Sequence, residues 1–230
     1  MTPRVVRPEL LDEMDAAHPA AIRSRDDLVR VNRLMGNAYW IARAVIQAGH
    51  SPRSLAEWGG GDGRFLLSLV RRFHTRSIRP SSAALLDKQS IVSATTFAQF
   101  KGLDCPLQLV SADILNPSAP LPFADLIICN LFLHHFEGAA LRNILARASA
   151  QCDLFIACEP RRWRLAPYTT PLLGLIGCNY VTRHDAKRSV KAGFWDGELS
   201  TAWPDHKTWT LQEGAAGPFS HLFLAKRVTA

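Results

Sequence analysis

The chain has 230 residues, a hydrophobic fraction of 47% and a formal net charge of +7. Length and composition suit one globular domain with an added segment and exclude a disordered or fibrous chain. No apolar run reaches the roughly 18 residues of a membrane span, and the opening MTPRVVRPELLDEMD lacks a secretory signal core, so a cytoplasmic location is expected. The basic residues are scattered in twos and threes (VRRF, EPRRWR, AKRSVK), which reads as solubility charge and makes nucleic acid an unfavoured partner. Cys105, Cys129, Cys152, Cys158 and Cys178 are odd in number and form no C-x-x-C pair. They read as small buried hydrophobes, with neither a disulfide nor a metal site expected.

Residues 1–50 are expected to form a helical cap. RDDLVRVNRLMGNAYWIARAVIQAGH carries Leu28, Val31, Leu34, Met35 and Ala38 near helical spacing, with Gly36 as a break. Asn32, Arg33, Tyr39 and Trp40 read equally as a lid over a site or as ordinary helix residues. A second unit, 51–230, then alternates short apolar strands with amphipathic helices. SLAEW is a strand running into glycines, and RFLLSLVRRF is a helix. SAALLD is the second strand, and KQSIVSATTFAQFKG is a helix closed by Gly102. LQLVSAD and FADLIICN are the third and fourth strands. EGAALRNILARASAQ is a helix, and DLFIACEP is the fifth strand. This rhythm implies a doubly wound α/β architecture, Rossmann-like and mostly parallel. Residues 161–194 are irregular, rich in Leu, Tyr, Trp and Pro, and close with a helix near Gly193; they are expected to roof a site. GELSTAW and SHLFLAKRV read as two late strands, giving seven in all with an antiparallel edge.

Ligands of such sheets bind beyond the C-terminal strand ends. Glu57, Asp87, Asp113, Asn130 and Glu159 all fall there. Glu159, before Pro160, reads as closing its strand. The first of these ends carries EWGGGDGRF, Glu57 to Phe65. So many glycines weaken a fold unless bare backbone is needed. The dinucleotide pattern G-x-G-x-x-G fails, because its third glycine falls on Arg64 or Leu66, and no G-K-[ST] is present. The pattern that fits is E-x-G-x-G-x-G, with Glu57, Gly59, Gly61 and Gly63 in step. Gly60 is a free loop position, and Asp62 reads as a helix N-cap.

On these residues the chain resembles the class I S-adenosylmethionine-dependent methyltransferases, over Leu55 to Val228. The glycine loop looks like the family's first motif. Asp87 looks like the acidic residue that holds the ribose hydroxyls. SAD, with Ala112 and Asp113, looks like the third motif, where Asp113 meets the adenine amino group. DLIICNLFLHHF, with Asn130 and Leu131, looks like the fourth. Asp87 follows Gly63 by 24 residues, longer than the family's usual step, and HTRSIRP looks like the insertion responsible. The resemblance implies S-adenosylmethionine as cofactor. The physics agrees: this molecule has no phosphate but carries a sulfonium and an ammonium, which carboxylates and carbonyls stabilise, and ribose diols want a carboxylate acceptor.

The layout is similar to ubiquinone- and menaquinone-biosynthesis methyltransferases and related small-molecule enzymes, which implies O- or C-methylation of a small acceptor. An apolar roof suits an apolar or aromatic one. The NLFL run is not N-P-P-Y, which argues against adenine methylation in nucleic acid. Alternatives are RNA methylation, resting on the charge, and a non-catalytic binding or assembly protein of the same fold. His134 and His135 lie just past the fourth strand and are candidates for a general base or for substrate contact. His184, beside Asp185, is a third candidate, although sequence neighbours seldom face each other on a helix. His221 reads as structural.

Overall fold

The computed structural model of the protein describes residues 3–89, 91–163 and 170–228. Seven strands form one sheet in the order β3-β2-β1-β4-β5-β7-β6. They are β1 (Ser54–Trp58), β2 (Ser82–Asp87), β3 (Leu107–Ser111), β4 (Ala124–Asn130), β5 (Cys152–Pro160), β6 (Trp209–Ala216) and β7 (Ser220–Arg227). β1 to β5 pair in parallel, and β7 runs antiparallel between β5 and β6. Both faces of the central strands are buried, so their sequences are apolar runs without alternation. Side chains still alternate between faces. Ala56, Trp58, Ile127 and Cys129 enter one core; Leu55, Leu126 and Ile128 enter the other.

Helices cover both cores. α1 (Leu10–Glu13), α2 (Pro19–Met35) and α3 (Asn37–Gln47) precede the sheet, with Gly36 left-handed between α2 and α3 (φ 70°) where the break was expected. α4 (Arg64–His74) buries Leu66, Leu69, Val70 and Phe73 beside α3. α5 (Ala94–Lys101) and α6 (Gly138–Gln151) follow, then α7 (Tyr180–Ala192) and α8 (Glu198–Ala202). Phe155, Trp203, Trp209 and Phe223 pack with ring centroids 5.0–6.1 Å apart and fasten α8 to the antiparallel end of the sheet. All five cysteines are buried free thiols, as expected.

Two readings need correction. GELSTAW is not a strand: Glu198–Ala202 is helical, and its amides at Leu199 and Ser200 donate to Glu213 at 3.0 and 2.6 Å. The missing strand is β6, whose half-exposed residues lie at the sheet edge with β7 as their strand partner. The helix read from Lys88 starts only at Ala94, where Ser93 Oγ accepts from Thr96 N at 3.1 Å. The residues before it form the loop beyond β2. Residues 164–169 of the expected roof lie outside the described residues. Among the described residues, no helix is long and apolar enough to cross a membrane.

Candidate active site

The strand order reverses between β1 and its two neighbours β2 and β4, which opens a crevice at their C-terminal ends. A cavity of about 1100 Å³ lies there. Glu57, Gly59, Gly61, Asp87, Ala112, Asp113, Asn130 and Leu131 all line it. Gly63 does not; it takes the N-cap position of α4 with a left-handed backbone (φ 74°), so Asp62 is not the cap residue. Asp62 instead accepts from Arg64 N at 3.1 Å and pairs with the Arg64 side chain at 2.7 Å.

The glycine turn is shaped by two constraints. Gly59 is left-handed (φ 72°), and a Cβ there would stand 2.0 Å from the Phe132 ring. Gly61 is also left-handed (φ 56°), but a Cβ there would meet nothing within 4 Å and would project into open space. Gly61 N donates to Asp87 Oδ2 at 2.8 Å, and Gln89 N donates to Asp87 Oδ1 at 2.9 Å, so the Asp87 carboxylate is oriented by backbone. Gly60 is not a free position: Leu85 Cδ1 and Glu57 Oε2 would lie 2.3 and 2.9 Å from a Cβ. Glu57 is buried, and its Oε2 has no hydrogen-bond partner. Burial, reinforced by the charges of Asp62 and Asp87, pushes its pKa well above the usual carboxylate value. Asp113 accepts from Leu115 N and pairs with Lys88 at 2.9 Å; the lysine holds its pKa below the usual value.

Beyond β4 the rim tightens. Leu131 is left-handed (φ 53°), a strained conformation for a residue with a side chain, and its amide donates to Cys158 O. Asn130 is buried; its Oδ1 accepts from Asn37 Nδ2 at 2.8 Å and its Nδ2 donates to Asn32 Oδ1 at 2.9 Å. Asn37 also accepts from Ser220 Oγ. This amide network ties α2 and α3 to the rim. Asn32, Arg33 and Tyr39 line the cavity, and Trp40 does not.

The histidine pair divides into two environments. His134 is buried, with Nδ1 2.8 Å from Glu159 Oε2. Its Nε2 is 3.4 Å from Glu9 Oε1 and makes no hydrogen bond. Burial opposes charge on this ring, but the hydrogen bond to Glu159 and the attraction of Glu159 and Glu9 outweigh it and raise its pKa to about 9. His134 therefore keeps its proton at neutral pH and is no base there. His135 is 22% exposed, lines the cavity and has Nδ1 3.2 Å from Asp12 Oδ2. His184 does bond its neighbour, Nδ1 to Asp185 Oδ1 at 2.9 Å, but it is not part of the cavity lining. Asp185 is occupied at the N-terminus of α1, accepting from Leu10 N and Leu11 N at 2.8 and 3.0 Å. His221 bonds Glu213 at 2.8 Å in the sheet, as its structural reading required.

No family model and no curated protein matches the chain in sequence. Solved structures do match in shape. One is the plantazolicin methyltransferase BpumL in complex with S-adenosylhomocysteine, with a TM-score of 0.63, 12% identity, and 92% of each chain covered. Another is an O-methyltransferase family protein from Burkholderia thailandensis, with a TM-score of 0.60 and 15% identity, covering 92% of this chain and 61% of that one. A third is the N-methyltransferase NodS from Bradyrhizobium japonicum WM9, with a TM-score of 0.56 and 13% identity, covering 94% and 96%. The chain has the class I methyltransferase fold.

Within this methyltransferase fold, sequence reasoning missed Glu9 and Asp12, which reach the histidines from more than a hundred residues away. Glu159 does lie at the end of its strand, and beyond that reading it accepts from the amides of Phe132 and Leu133 at 3.0 and 2.9 Å besides His134. The carboxylate of Glu57 gives a pH prediction. Its folded pKa exceeds the unfolded one, so the native state holds the extra proton. Stability therefore falls as pH rises from about 4.5 through the folded value. Glu57→Gln is expected to raise stability at pH 8 relative to wild type and to flatten the slope, measured by urea unfolding without cofactor. An unchanged slope would remove Glu57 as its source.

Proposed function

We propose that the protein is an S-adenosylmethionine-dependent methyltransferase acting on a small apolar or aromatic acceptor. One juxtaposition carries this reading. The open backbone at Gly61, the unpartnered buried oxygen of Glu57 and the backbone-oriented Asp87 share one cavity wall. These groups fit the cofactor. A buried carboxylate with a free oxygen suits an ammonium group, and an oriented carboxylate at the end of β2 suits vicinal hydroxyls. Asp113, which lines the same cavity, is the residue we assign to the adenine amino group. The sulfonium supplies the methyl group, and the protein's part is to hold the acceptor in line with it. Apolar residues such as Leu28, Val31, Met35, Phe132 and Phe136 line the remaining cavity and favour an acceptor with apolar surface. His134 and His135 both line this space, and His135 is the more exposed of the two. That BpumL and NodS were solved with S-adenosylhomocysteine supports the same reading.

Titration calorimetry tests the proposal directly. S-adenosylmethionine and S-adenosylhomocysteine are expected to bind one per chain. Absence of heat at millimolar ligand counts against it. Asp87→Ala should weaken binding by about 1.5–3 kcal/mol, the worth of hydrogen bonds to a charged group, or roughly 10–150-fold. Wild-type affinity in this variant would mean that the ribose lies elsewhere.

A further inference from the structure

One carboxylate oxygen of Glu9, one ring nitrogen of His134 and one of His135 all lie within 4.8 Å of one another. Asp12 stands beside them, 3.2 Å from His135 Nδ1. All four residues line the same part of the cavity. We propose that this cluster binds one divalent first-row transition metal ion.

The first argument is the unused nitrogen. His134 is 3% exposed, and its Nε2 has no hydrogen-bond partner although it faces Glu9. The 3.4 Å approach of Glu9 is too long for a good hydrogen bond, and a metal ion between the two atoms would satisfy both. The second is the support behind the ring. Glu159 holds Nδ1 at 2.8 Å, which fixes the ring with Nε2 turned toward Glu9. A carboxylate behind a ligating histidine is the usual outer partner of such a ligand. The third is donor chemistry. Two imidazoles with carboxylates suit zinc, manganese or iron, whereas magnesium and calcium prefer oxygen alone. Ligand bonds of about 2.0–2.2 Å require the donors to close by only small side-chain movements.

The fourth argument is preorganisation. Glu9 and Asp12 would be mobile on a free N-terminal segment, yet here that segment is clamped. Arg4 donates to Phe136 O at 2.7 Å, His134 O at 3.0 Å and Ala192 O at 2.6 Å. Asp185 caps the first amides of α1, and Ser189 donates to Glu9 itself. Ligands held by such contacts lose little freedom on binding a metal. The charges agree: the carboxylates of Glu9 and Glu159 stand 3.4 and 2.8 Å from the His134 ring and favour a cation in the cluster. Asp12 is half exposed toward the cavity, which leaves a coordination position for water or a ligand oxygen. The metal site does not depend on the methyl-transfer reading, so the two can fail separately.

The test is calorimetric titration of zinc chloride, and separately magnesium chloride, into chelator-stripped full-length protein without cofactor. Zinc should bind at one equivalent, and magnesium should give no saturable heat. Glu9→Gln and His135→Ala, at partly exposed positions, should keep the wild-type circular dichroism. Both should weaken zinc at least about 10–100-fold, the loss that follows even from disturbing a ligand's partner. His184→Ala, which alters a histidine outside the cavity, should bind zinc like wild type. The proposal is overturned if saturable zinc binding is absent, if Glu9→Gln and His135→Ala leave it intact, if His184→Ala removes it equally, or if magnesium binds as well.

Discussion

Glu159→Ala is expected to destabilise the protein by about 3–5 kcal/mol, the cost of leaving one partner of a buried charge pair alone. The residue is 0% exposed. One of its oxygens accepts from Phe132 N and Leu133 N, and the other from His134 Nδ1, with His134 N at 3.4 Å. Alanine leaves these donors facing an apolar hole. A typical domain has 5–15 kcal/mol of stability, so the loss is a large share of the total. Glu159→Gln keeps an acceptor for the amides and should lose less. The pair also has a pH signature. His134 titrates at about 9 in the folded protein against 6.5 ordinarily. Its contribution is thus complete below about pH 6.5 and is lost as pH rises through 9. Urea unfolding in the presence of a chelator should show this decline in wild type and a flatter profile in Glu159→Gln. A Glu159→Ala protein within 1 kcal/mol of wild type would mean that the loop after β4 is held by other contacts.

The parts of this molecule legible in sequence are those in which one element's own residues set its geometry. The runs SLAEW, SAALLD and FADLIICN are apolar because both faces of each strand are covered, and no other environment suits them. Gly59, Gly61 and Gly63 declare a turn that only glycine adopts. The rim residues Asp87 and Asp113 follow from strand ends alone. What stayed hidden depends on partners distant in the chain. PELLDEMD reads as a charged leader until Asp185 caps α1 and Arg4 reaches the carbonyls after β4. Glu159 reads as a strand end because nothing local shows that three backbone amides and a ring point at it. GELSTAW reads as a short strand before a turn, but the amides of Leu199 and Ser200 are claimed by Glu213 on β6. That both ends of the Asn130 amide bind Asn37 and Asn32, from α3 and α2, is equally absent from its own stretch of sequence.

Gly59→Ala is expected to cost about 2–5 kcal/mol of stability and to abolish measurable cofactor binding. The stability loss has two sources. A left-handed backbone at φ 72° penalises any Cβ by about 1–2 kcal/mol. Overpacking adds about 1–3 kcal/mol, because the new carbon would lie 2.0, 2.3 and 2.5 Å from Phe132 Cδ2, Cγ and Cε2. Cγ is the root of the ring, so rotating the tip does not relieve the contact. The backbone there cannot retreat either, since Phe132 N is held by Glu159 at 3.0 Å. The ring is further braced edge-on by Phe136, with centroids 5.1 Å apart. Gly61→Ala provides the contrast. It pays the left-handed penalty of about 1–2 kcal/mol but meets no protein atom, and its Cβ stands in space that the cofactor needs. It should lose only that ~1–2 kcal/mol of stability while losing affinity for S-adenosylhomocysteine in calorimetry. The overpacking part can be isolated with Phe132→Leu. The smaller side chain should destabilise the wild-type background yet partly restore Gly59→Ala, which gives a coupling energy of about 0.5–3 kcal/mol in a double-mutant cycle. If the two substitutions simply add, or if Gly59→Ala costs no more than Gly61→Ala, the ring does not lie over the glycine and the loop after β4 sits elsewhere.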